Sequence, residues 1–252
     1  MAFARPIAIA AMAALAALPA AAFDIGAMSE EERAAFRAEV RAYLLEEPGV
    51  LLEAIAELEA QQAAEEAVDD AALVATNAAA LFDDPASFSA GNTDGDVTLV
   101  EFIDYNCGFC RRAYPEVMQV LDMDPGVRLV VKEFPILGPS SEMASRMAIA
   151  VLQTEGEAAY ERLRDSFLTL RGELNAATLQ RLGEDHGLDM VAITEAMESP
   201  EVTNVIAANR DLAARLRLQG TPSYALEGGV ILRGMLPATA MLDLIDDVRT
   251  AN

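Results

Sequence analysis

The order of hydrophobic and polar positions in the second half of the chain predicts buried strands. Val97–Ile103 (V-T-L-V-E-F-I) is apolar at both alternating sets of positions, which is typical of a central strand covered on both faces. Val127–Phe134 (V-R-L-V-V-K-E-F) has the same character, and Pro135 ends it. These two runs predict neighbouring strands in the middle of one sheet.

A hairpin and two helices complete this pattern. Ser223–Glu227 and Val230–Arg233 flank a Gly-Gly pair, which is a two-residue hairpin signal. Arg111–Leu121 predicts a helix that Pro115 should kink, and Pro237–Val248 predicts a closing helix with one apolar face. The predicted order is β-α-β, a helical stretch, and then β-β-α.

The helical stretch between the two halves covers about residues 139–219. Its apolar side chains recur at helical spacing in at least three segments. These are Met143, Met147 and Val151; Tyr160, Leu163, Phe167 and Leu170; and Val202, Ile206, Leu212 and Leu216. We expect such faces to pack in the core, so most of the eleven methionines are predicted to be core residues and not copper ligands.

The segment from Ser29 to Leu58 predicts two short helices. Ser29-x-x-Glu32 is a capping-box signal at the start of the first helix, and Glu47-Pro48-Gly49 interrupts the pattern. The apolar positions are Phe36, Val40, Tyr43 and Leu44 in the first helix and Leu51, Leu52, Ile55 and Leu58 in the second. Glu59–Ala72 then has hardly any apolar face.

The N-terminus has the features of an export signal. Met1–Pro6 carries one positive charge, Ile7–Leu18 is an uninterrupted apolar stretch, and small residues follow. We expect cleavage after about Ala22, which gives an exported, periplasmic protein. The apolar stretch is shorter than the roughly 18 residues that a membrane span needs.

Composition narrows the range of partners. The chain carries 18 Lys and Arg against 41 Asp and Glu, a net charge of −23. Such a charge opposes binding to nucleic acid or to an anionic membrane surface. About 230 mature residues suffice for one good-sized core with an accessory element, or for two small domains.

The only two cysteines, Cys107 and Cys110, follow the first predicted strand after a turn at Asp104-Tyr105-Asn106. A structural disulfide is one explanation, but so short a loop gains only about 2 kcal/mol from cross-linking. A zinc half-site is another, although His186 is the only histidine in the chain. The position at the start of a helix favours redox chemistry, because the helix N-terminus stabilises a thiolate on Cys107 and places Cys110 to resolve a mixed disulfide.

Three stretches resemble the DsbA family of exported thiol-disulfide oxidoreductases. They are E-F-I-D-Y-x-C-x-x-C at 101–110, K-E-F-P-I-L-G at 132–138 and G-T-P-S-Y at 220–224. The resemblance covers roughly residues 91–252 and implies an α/β thioredoxin fold with an inserted helical domain. The N-terminal segment is similar to the extension of the suppressor-of-copper-sensitivity C-type members.

The resulting domain prediction has three parts. Residues 1–22 form the signal peptide, and residues 23–88 form an N-terminal helical extension that could mediate oligomerisation. Residues 89–252 form the DsbA-like thioredoxin domain, which includes the helical insertion.

The resemblance also implies roles for individual residues. It assigns Cys107 as the exposed nucleophile and Cys110 as the buried resolving thiol. Thr221 and Pro222 match a cis-proline loop that lies over the disulfide and offers backbone groups to an extended substrate. The alternative is an ordinary trans proline at the start of a strand.

A carboxylate in the central strand needs a partner, since burial without one is costly. The family has a Glu and a Lys at positions matching Glu101 and Lys132, so we predict a buried pair that moves protons for Cys110. The alternative is a Glu101 that faces solvent at a sheet edge, because the register is not fixed by sequence.

One departure from the family concerns the direction of electron flow. Phe109 precedes the second cysteine, where strong oxidants of the family carry histidine, and Gly108-Phe109 is closer to the Gly-Tyr of disulfide isomerases. Ser29–Leu58 also has too few apolar residues to form a core alone, so we expect its apolar stripe to be buried between copies of the chain and predict an oligomeric disulfide isomerase. The alternatives are a monomeric dithiol oxidase and a non-catalytic acidic holdase or metal-handling protein.

The expected partners follow from this function. They are unfolded or misfolded exported proteins, a membrane redox partner and further copies of the chain, with a trimer as one candidate assembly. No nucleic acid, metal or organic cofactor is expected. The alternative to self-association is that the apolar stripe of Ser29–Leu58 packs against the catalytic domain of the same chain.

Overall fold

The computed structural model describes residues 25–251, and the predicted signal peptide at 1–22 lies outside this range. The chain forms two compact units, one up to Glu59 and the other from Ala60 onward. This division falls inside the predicted extension, whose boundaries stay a prediction. Among the described residues, no helix is both long and apolar enough to cross a membrane.

Ten α-helices and five strands form within residues 25–251, preceded by a short 3-10 turn at Ile25–Ala27. The helices are α1 (Glu30–Glu46), α2 (Gly49–Thr76), α3 (Ala78–Phe82), α4 (Gly108–Met123), α5 (Pro139–Glu155), α6 (Glu157–Thr169), α7 (Ala176–Asp185), α8 (Met190–Met197), α9 (Pro200–Arg215) and α10 (Ala238–Ala251). The strands are β1 (Phe88–Gly91), β2 (Val97–Ile103), β3 (Val127–Glu133), β4 (Ser223–Leu226) and β5 (Val230–Arg233).

The first helix begins at the predicted capping box. The Ser29 hydroxyl accepts from the Glu32 amide at 3.3 Å, and the Glu32 carboxylate accepts from the Ser29 amide at 2.8 Å. Glu47 and Pro48 then separate α1 from α2, as predicted. No residue of α1 is buried, so its apolar stripe is exposed.

The second helix continues without interruption through the polar stretch to Thr76. Beyond residue 60 it belongs to the second unit, where Val74 is buried. Its carboxylates pair with arginines of the same unit: Asp70 lies 2.8 Å from Arg233, and Asp69 lies 2.9 Å from Arg217. The polar stretch is therefore held by ion pairs and not by an apolar face.

The sheet has the strand order β1-β3-β2-β4-β5. β2 pairs with β3 in parallel, and the other three pairings are antiparallel. Every residue of β2 is buried, as predicted for a central strand. The architecture is the predicted α/β thioredoxin fold, with the helices α5 to α9 inserted between β3 and β4. β1 was not predicted, because its four residues (F-S-A-G) contain no apolar run.

The two faces of the sheet pack into different hydrophobic clusters. Leu99 and Ile103 face a cluster that includes side chains of α4 to α10. Val100 and Phe102 face the other cluster, which includes side chains of α3 and α9 and Val74 of α2. Because alternate residues of a strand point to opposite faces, the register of β2 decides which polar side chains can meet.

Candidate functional site

The cysteine pair lies where β2 ends and α4 begins. Asp104 fixes this turn: its carbonyl accepts from the Cys107 amide at 3.0 Å, and its carboxylate accepts from the amides of Ile136 and Leu137 at 2.9 and 3.0 Å. Cys107 is the N-cap residue of α4, and Cys110 lies in the first turn. The pair therefore occupies the helix N-terminus, as the sequence predicts.

The loop at Thr221 and Pro222 packs directly against the first cysteine. The peptide bond between these two residues is cis, as predicted. The Cys107 sulfur lies 3.1 Å from the Thr221 carbonyl oxygen. Cys107 is 7% exposed and Cys110 1% exposed, so the prediction of an exposed Cys107 is wrong, because the loop covers it. Cys107 is still the more accessible of the two thiols.

The two thiols have very different proton affinities. A hydrogen bond from Cys110, assisted by the backbone amides of Phe109 and Cys110, lowers the pKa of Cys107 to about 5 against the opposing effect of burial. The same thiol-thiol interaction, followed by burial, raises the pKa of Cys110 well above its ordinary value. At neutral pH Cys107 is therefore a thiolate and Cys110 a thiol.

Glu101 lies in β2 beneath the cysteines and is only 1% exposed. Its carboxylate accepts from the Arg164 guanidinium at 2.7 Å and from the Tyr224 hydroxyl at 3.4 Å. Burial raises the pKa of Glu101, and the charge and hydrogen bond of Arg164 oppose this effect. Tyr224 is directly opposite Glu101 in β4 and interacts electrostatically with Cys110. The alternative of a solvent-facing glutamate is therefore wrong.

The predicted pair of Glu101 with Lys132 is also wrong. In the register of β2 and β3, Glu101 is opposite Val131, whereas Lys132 is opposite Phe102. The two side chains therefore project from opposite faces of the sheet. Lys132 is fully buried on the far face and forms an ion pair of 2.7 Å with Asp84.

Arg164, the actual partner of Glu101, was missed by the sequence analysis. It comes from α6 of the helical insertion and is 3% exposed. Its position on the buried face could have been found, since it lies between Tyr160 and Phe167 at helical spacing. Its Nε is buried and has no hydrogen-bond partner within the described residues, while its guanidinium lies 5.0 Å from the centre of the Tyr114 ring.

A second buried carboxylate, also missed, lies at the end of β3. Glu133 accepts from the hydroxyls of Tyr105 and Tyr160, each at 2.6 Å, and from that of Ser145 at 2.7 Å. Burial raises the pKa of Glu133 to about 7, although the three hydroxyl donors oppose the shift. Because Tyr105 precedes the cysteine motif by two residues, this cluster ties the turn before Cys107 to α5 and α6.

The arginines that follow the motif do not surround the thiolate. Arg111 donates to the carbonyls of Tyr105, Leu170 and Gly172, and so holds the turn before the cysteines against the end of α6. Arg112 lies 4.3 Å from the centre of the Phe109 ring, and that ring is 58% exposed. The surface beside Cys107 is therefore aromatic. No group of three or more potential metal-ligating side chains occurs in the described part of the chain.

Comparison with protein families and known structures agrees with this geometry. Residues 98–247 match the DSBA-like thioredoxin domain, and residues 32–65 match the copper resistance protein ScsC N-terminal domain. A thioredoxin-like oxidoreductase from Silicibacter pomeroyi DSS-3 is 40% identical with a TM-score of 0.66, over 69% of this chain and 98% of that one. ScsC of Proteus mirabilis in a transitional conformation is 25% identical with a TM-score of 0.65, over 90% and 99%.

Two curated relatives match a shorter region. The probable disulfide bond formation protein D of Bacillus cereus is 27% identical over 56% of this chain and 70% of that protein. The Na(+)/H(+) antiporter NhaA 3 of Salinispora tropica is 29% identical over 55% of this chain, and the match spans only 21% of the antiporter's length. The family match covers more than half of the chain and contains the strand, the cysteine pair and the cis-proline loop. The chain therefore belongs to the DSBA-like thioredoxin domain family.

Proposed function

We propose that the protein is a thiol-disulfide oxidoreductase that exchanges disulfides with exported proteins. The observation that carries this proposal is the lowered pKa of Cys107, which favours its thiolate form. Cys107 lies at the start of α4, in contact with the cis Thr221-Pro222 loop. A structural disulfide needs neither a low thiol pKa nor a covering loop. The identity to the Silicibacter oxidoreductase also supports an oxidoreductase.

The exchange proceeds in two balanced steps. The Cys107 thiolate attacks a substrate disulfide, so the substrate S–S bond breaks, a Cys107–substrate disulfide forms, and one substrate thiolate leaves. Cys110 then loses its proton and attacks the Cys107 sulfur, which releases the second substrate thiolate and leaves a Cys107–Cys110 disulfide. The reverse sequence oxidises a substrate dithiol.

The raised pKa of Cys110 makes its deprotonation the demanding part of the second step. We propose that the buried groups Glu101 and Tyr224 take part in this proton transfer. Their cross-strand position places both on the cysteine-bearing face of the sheet. Lys132 has no part in it, since it lies on the opposite face.

We also propose that the protein self-associates through its N-terminal helices and acts as an isomerase in that form. Phe36, Tyr43, Leu52 and Leu58 are 43%, 53%, 70% and 53% exposed, which is a large apolar surface for two helices. A closed assembly of identical chains would bury it. Residues 32–65, which include most of this apolar surface, match the copper resistance protein ScsC N-terminal domain and lie outside the DSBA-like match. Export to the periplasm and a membrane redox partner complete the proposal.

Variants of the cysteine pair test the chemistry. Cys107→Ser should abolish disulfide exchange, whereas Cys110→Ser should accumulate mixed disulfides, visible by non-reducing electrophoresis. If Cys107→Ser retains exchange, the oxidoreductase proposal is wrong. A scrambled-disulfide refolding assay then distinguishes an isomerase from an enzyme that only oxidises dithiols.

Light scattering tests the assembly. The chain from residue 23 should be oligomeric, and a chain from Ala60, which keeps the whole second unit, should be monomeric. Isomerase activity should fall with the loss of the oligomer, while simple dithiol oxidation should continue. If both chains are monomeric, the self-association proposal is wrong and a monomeric oxidase is favoured.

A further inference from the structure

A groove of about 1230 Å³ runs beside the cis-proline loop. One wall is the polar part of α2, from Gln62 to Asp70, and the other is the segment from Gln219 to Ser223. Arg233 and Gly234, at the end of the edge strand β5, complete the lining. Pockets for small molecules usually measure about 300–1,000 Å³, so this groove is large enough for a polypeptide segment.

The groove is lined by the loop that contacts the reacting sulfur. Thr221 and Pro222 belong to its lining, and the Thr221 carbonyl lies 3.1 Å from the Cys107 sulfur. A polypeptide whose cysteine reacts with Cys107 must therefore place residues next to that cysteine at the mouth of the groove. A Cβ placed on Gly220 or Gly234 would have no non-neighbouring atom within 4 Å, so the backbone at both positions is accessible to a substrate.

The lining is acidic. It contains four carboxylates, from Glu65, Glu66, Asp69 and Asp70, and two guanidinium groups, from Arg217 and Arg233.

Both guanidinium groups are already neutralised by ion pairs. Arg217 pairs with Asp69 at 2.9 Å, and Arg233 pairs with Asp70 at 2.8 Å and with Glu66 at 3.1 Å. Among the described residues, Glu65 has no ion pair or side-chain hydrogen bond, and the lining has a net charge of −2. The Glu65 carboxylate is thus available to pair with a ligand.

We propose that this groove binds an extended, cationic segment of the substrate polypeptide, next to the cysteine that reacts with Cys107. The proposal rests on the proposed function and names its substrate class: exported proteins with lysine or arginine beside the reacting cysteine. Charge complementarity selects this occupant, since a basic side chain finds an unpaired carboxylate and an anionic one is repelled. The part of α2 from Gln62 to Asp70 would thereby belong to the substrate site of the second unit, which also carries the cysteines.

The test uses full-length mature protein with Cys110→Ser, so that the reaction stops at the mixed disulfide. The probes are short peptides whose single cysteine carries a thionitrobenzoate disulfide, flanked by two lysines, two serines or two glutamates. Attack by Cys107 breaks that disulfide, forms the Cys107–peptide disulfide and releases the coloured thiolate. We expect the lysine peptide to react about tenfold faster than the serine peptide, and the glutamate peptide to be the slowest.

Glu65→Lys and Glu65→Gln locate the effect. Glu65→Lys should reduce the advantage of the lysine peptide about fivefold, and Glu65→Gln should reduce it less, because it removes a charge without reversing it. The matched control is Glu195→Lys, an exposed position in α8 outside the groove, which changes the net charge equally. High salt should remove the preference in the unmodified groove.

Three results would overturn the inference. Equal losses from Glu65→Lys and Glu195→Lys would assign the preference to the net charge of the whole molecule. A glutamate peptide that reacts fastest would mean that the groove takes an anionic segment. If no peptide forms a mixed disulfide although Cys107 is reduced, the proposed function fails as well.

Discussion

At the scale of single residues, the notable feature is that an arginine from the helical insertion neutralises the carboxylate beneath the cysteines. Arg164 and Glu101 are 3% and 1% exposed, and their closest atoms are 2.7 Å apart. In such a buried pair each ion is tolerated because of the other, so the removal of one partner leaves an uncompensated charge. The insertion is thereby tied energetically to the strand that carries the cysteines.

The first prediction follows from this pair. Arg164→Met should lower the free energy of unfolding by about 3–5 kcal/mol, because Glu101 is left buried without its counter-charge. The double variant with Glu101→Gln should lose less than the sum of the two single variants, as measured by urea unfolding. Arg162→Met, at an exposed position of the same helix, is the control and should change little. Additive losses in the double variant would contradict a direct pair.

The second prediction concerns the acidity of Cys107. The rate of Cys107 alkylation should rise with pH around a midpoint near 5. Cys110→Ala removes the hydrogen bond that contributes most to this low pKa, so its midpoint should move towards the free-thiol value of about 8.5. Mass spectrometry of alkylated protein gives the rates. An unchanged midpoint in Cys110→Ala would show that the helix amides alone lower the pKa.

The same pKa has a consequence for stability. A thiol whose folded-state pKa is lowered favours the folded form above its unfolded pKa, and this contribution disappears as the pH falls through the folded pKa. Relative to Cys107→Ser, the reduced protein should therefore gain stability between pH 5 and about pH 8.5. A difference that is independent of pH would contradict a lowered pKa.

At the scale of elements, the register of β2 and β3 separates two buried polar systems. Glu101 and Arg164 lie on the face that carries the cysteines, and Lys132 pairs with Asp84 on the opposite face. The groups proposed for proton transfer and the Lys132–Asp84 ion pair thus occupy different faces of one sheet. The segment after α3 supplies Asp84 to the second of these systems.

The third prediction tests this separation. Asp84→Asn should destabilise the protein by about 3 kcal/mol, since Lys132 is left as a buried cation without a partner. Burial already lowers the pKa of Lys132 and Asp84 opposes that effect, so the loss of Asp84 should lower this pKa further. The destabilisation should then shrink as the pH rises, because the folded state holds the neutral amine.

The control for this variant is Asp83→Asn, which changes an exposed neighbour. Alkylation of Cys107 should be the same in both variants and in the unmodified protein. A changed pH midpoint of Cys107 alkylation in Asp84→Asn would contradict the separation of the two faces. It would indicate that Lys132 takes part in proton transfer to or from the cysteines.

Much of the fold could be predicted because its signals are local. The bounds of β2, the hairpin, the helix that starts at the cysteines and the cis proline depend on short runs of sequence. The pairing of Glu101 depends on the strand register and on the docking of α6, to which residues 63 positions apart contribute. For the same reason the cluster around Glu133 was not predicted, since Tyr105 and Tyr160 meet it only in the folded chain.

At the scale of the whole molecule, the boundary between the two compact units falls within one continuous helix. The part of α2 after residue 60, together with α3, supplies Val74, Leu81 and Phe82 to the hydrophobic cluster on the far face of the sheet. The second unit, which carries the cysteines, therefore begins before the acidic Asp83-Asp84-Pro85 stretch that follows α3. This changes where the chain can be shortened.

The fourth prediction compares two shortened chains. A chain that starts at Ala60 should unfold at nearly the same temperature as the catalytic unit of the full chain. A chain that starts at Asp83 loses three buried apolar side chains, worth about 5 kcal/mol or more together, and should unfold at a much lower temperature. Circular dichroism during heating measures both. Equal unfolding temperatures would show that the end of α2 contributes nothing to this unit.

The turn of the β4–β5 hairpin has a mechanical consequence for the rest of the molecule. Gly229 has a φ of +92°, and a Cβ there would lie 2.6 Å from the Cα of Ala71 in α2. The turn thus acts as a spacer that determines how closely the acidic helix approaches the cis-proline loop. Gly229→Ala should push the helix outward and widen the groove, which would weaken the preference for cationic peptides while the Cys107 alkylation midpoint stays unchanged. Substrate selectivity would then be adjustable from a backbone position that makes no contact with the substrate.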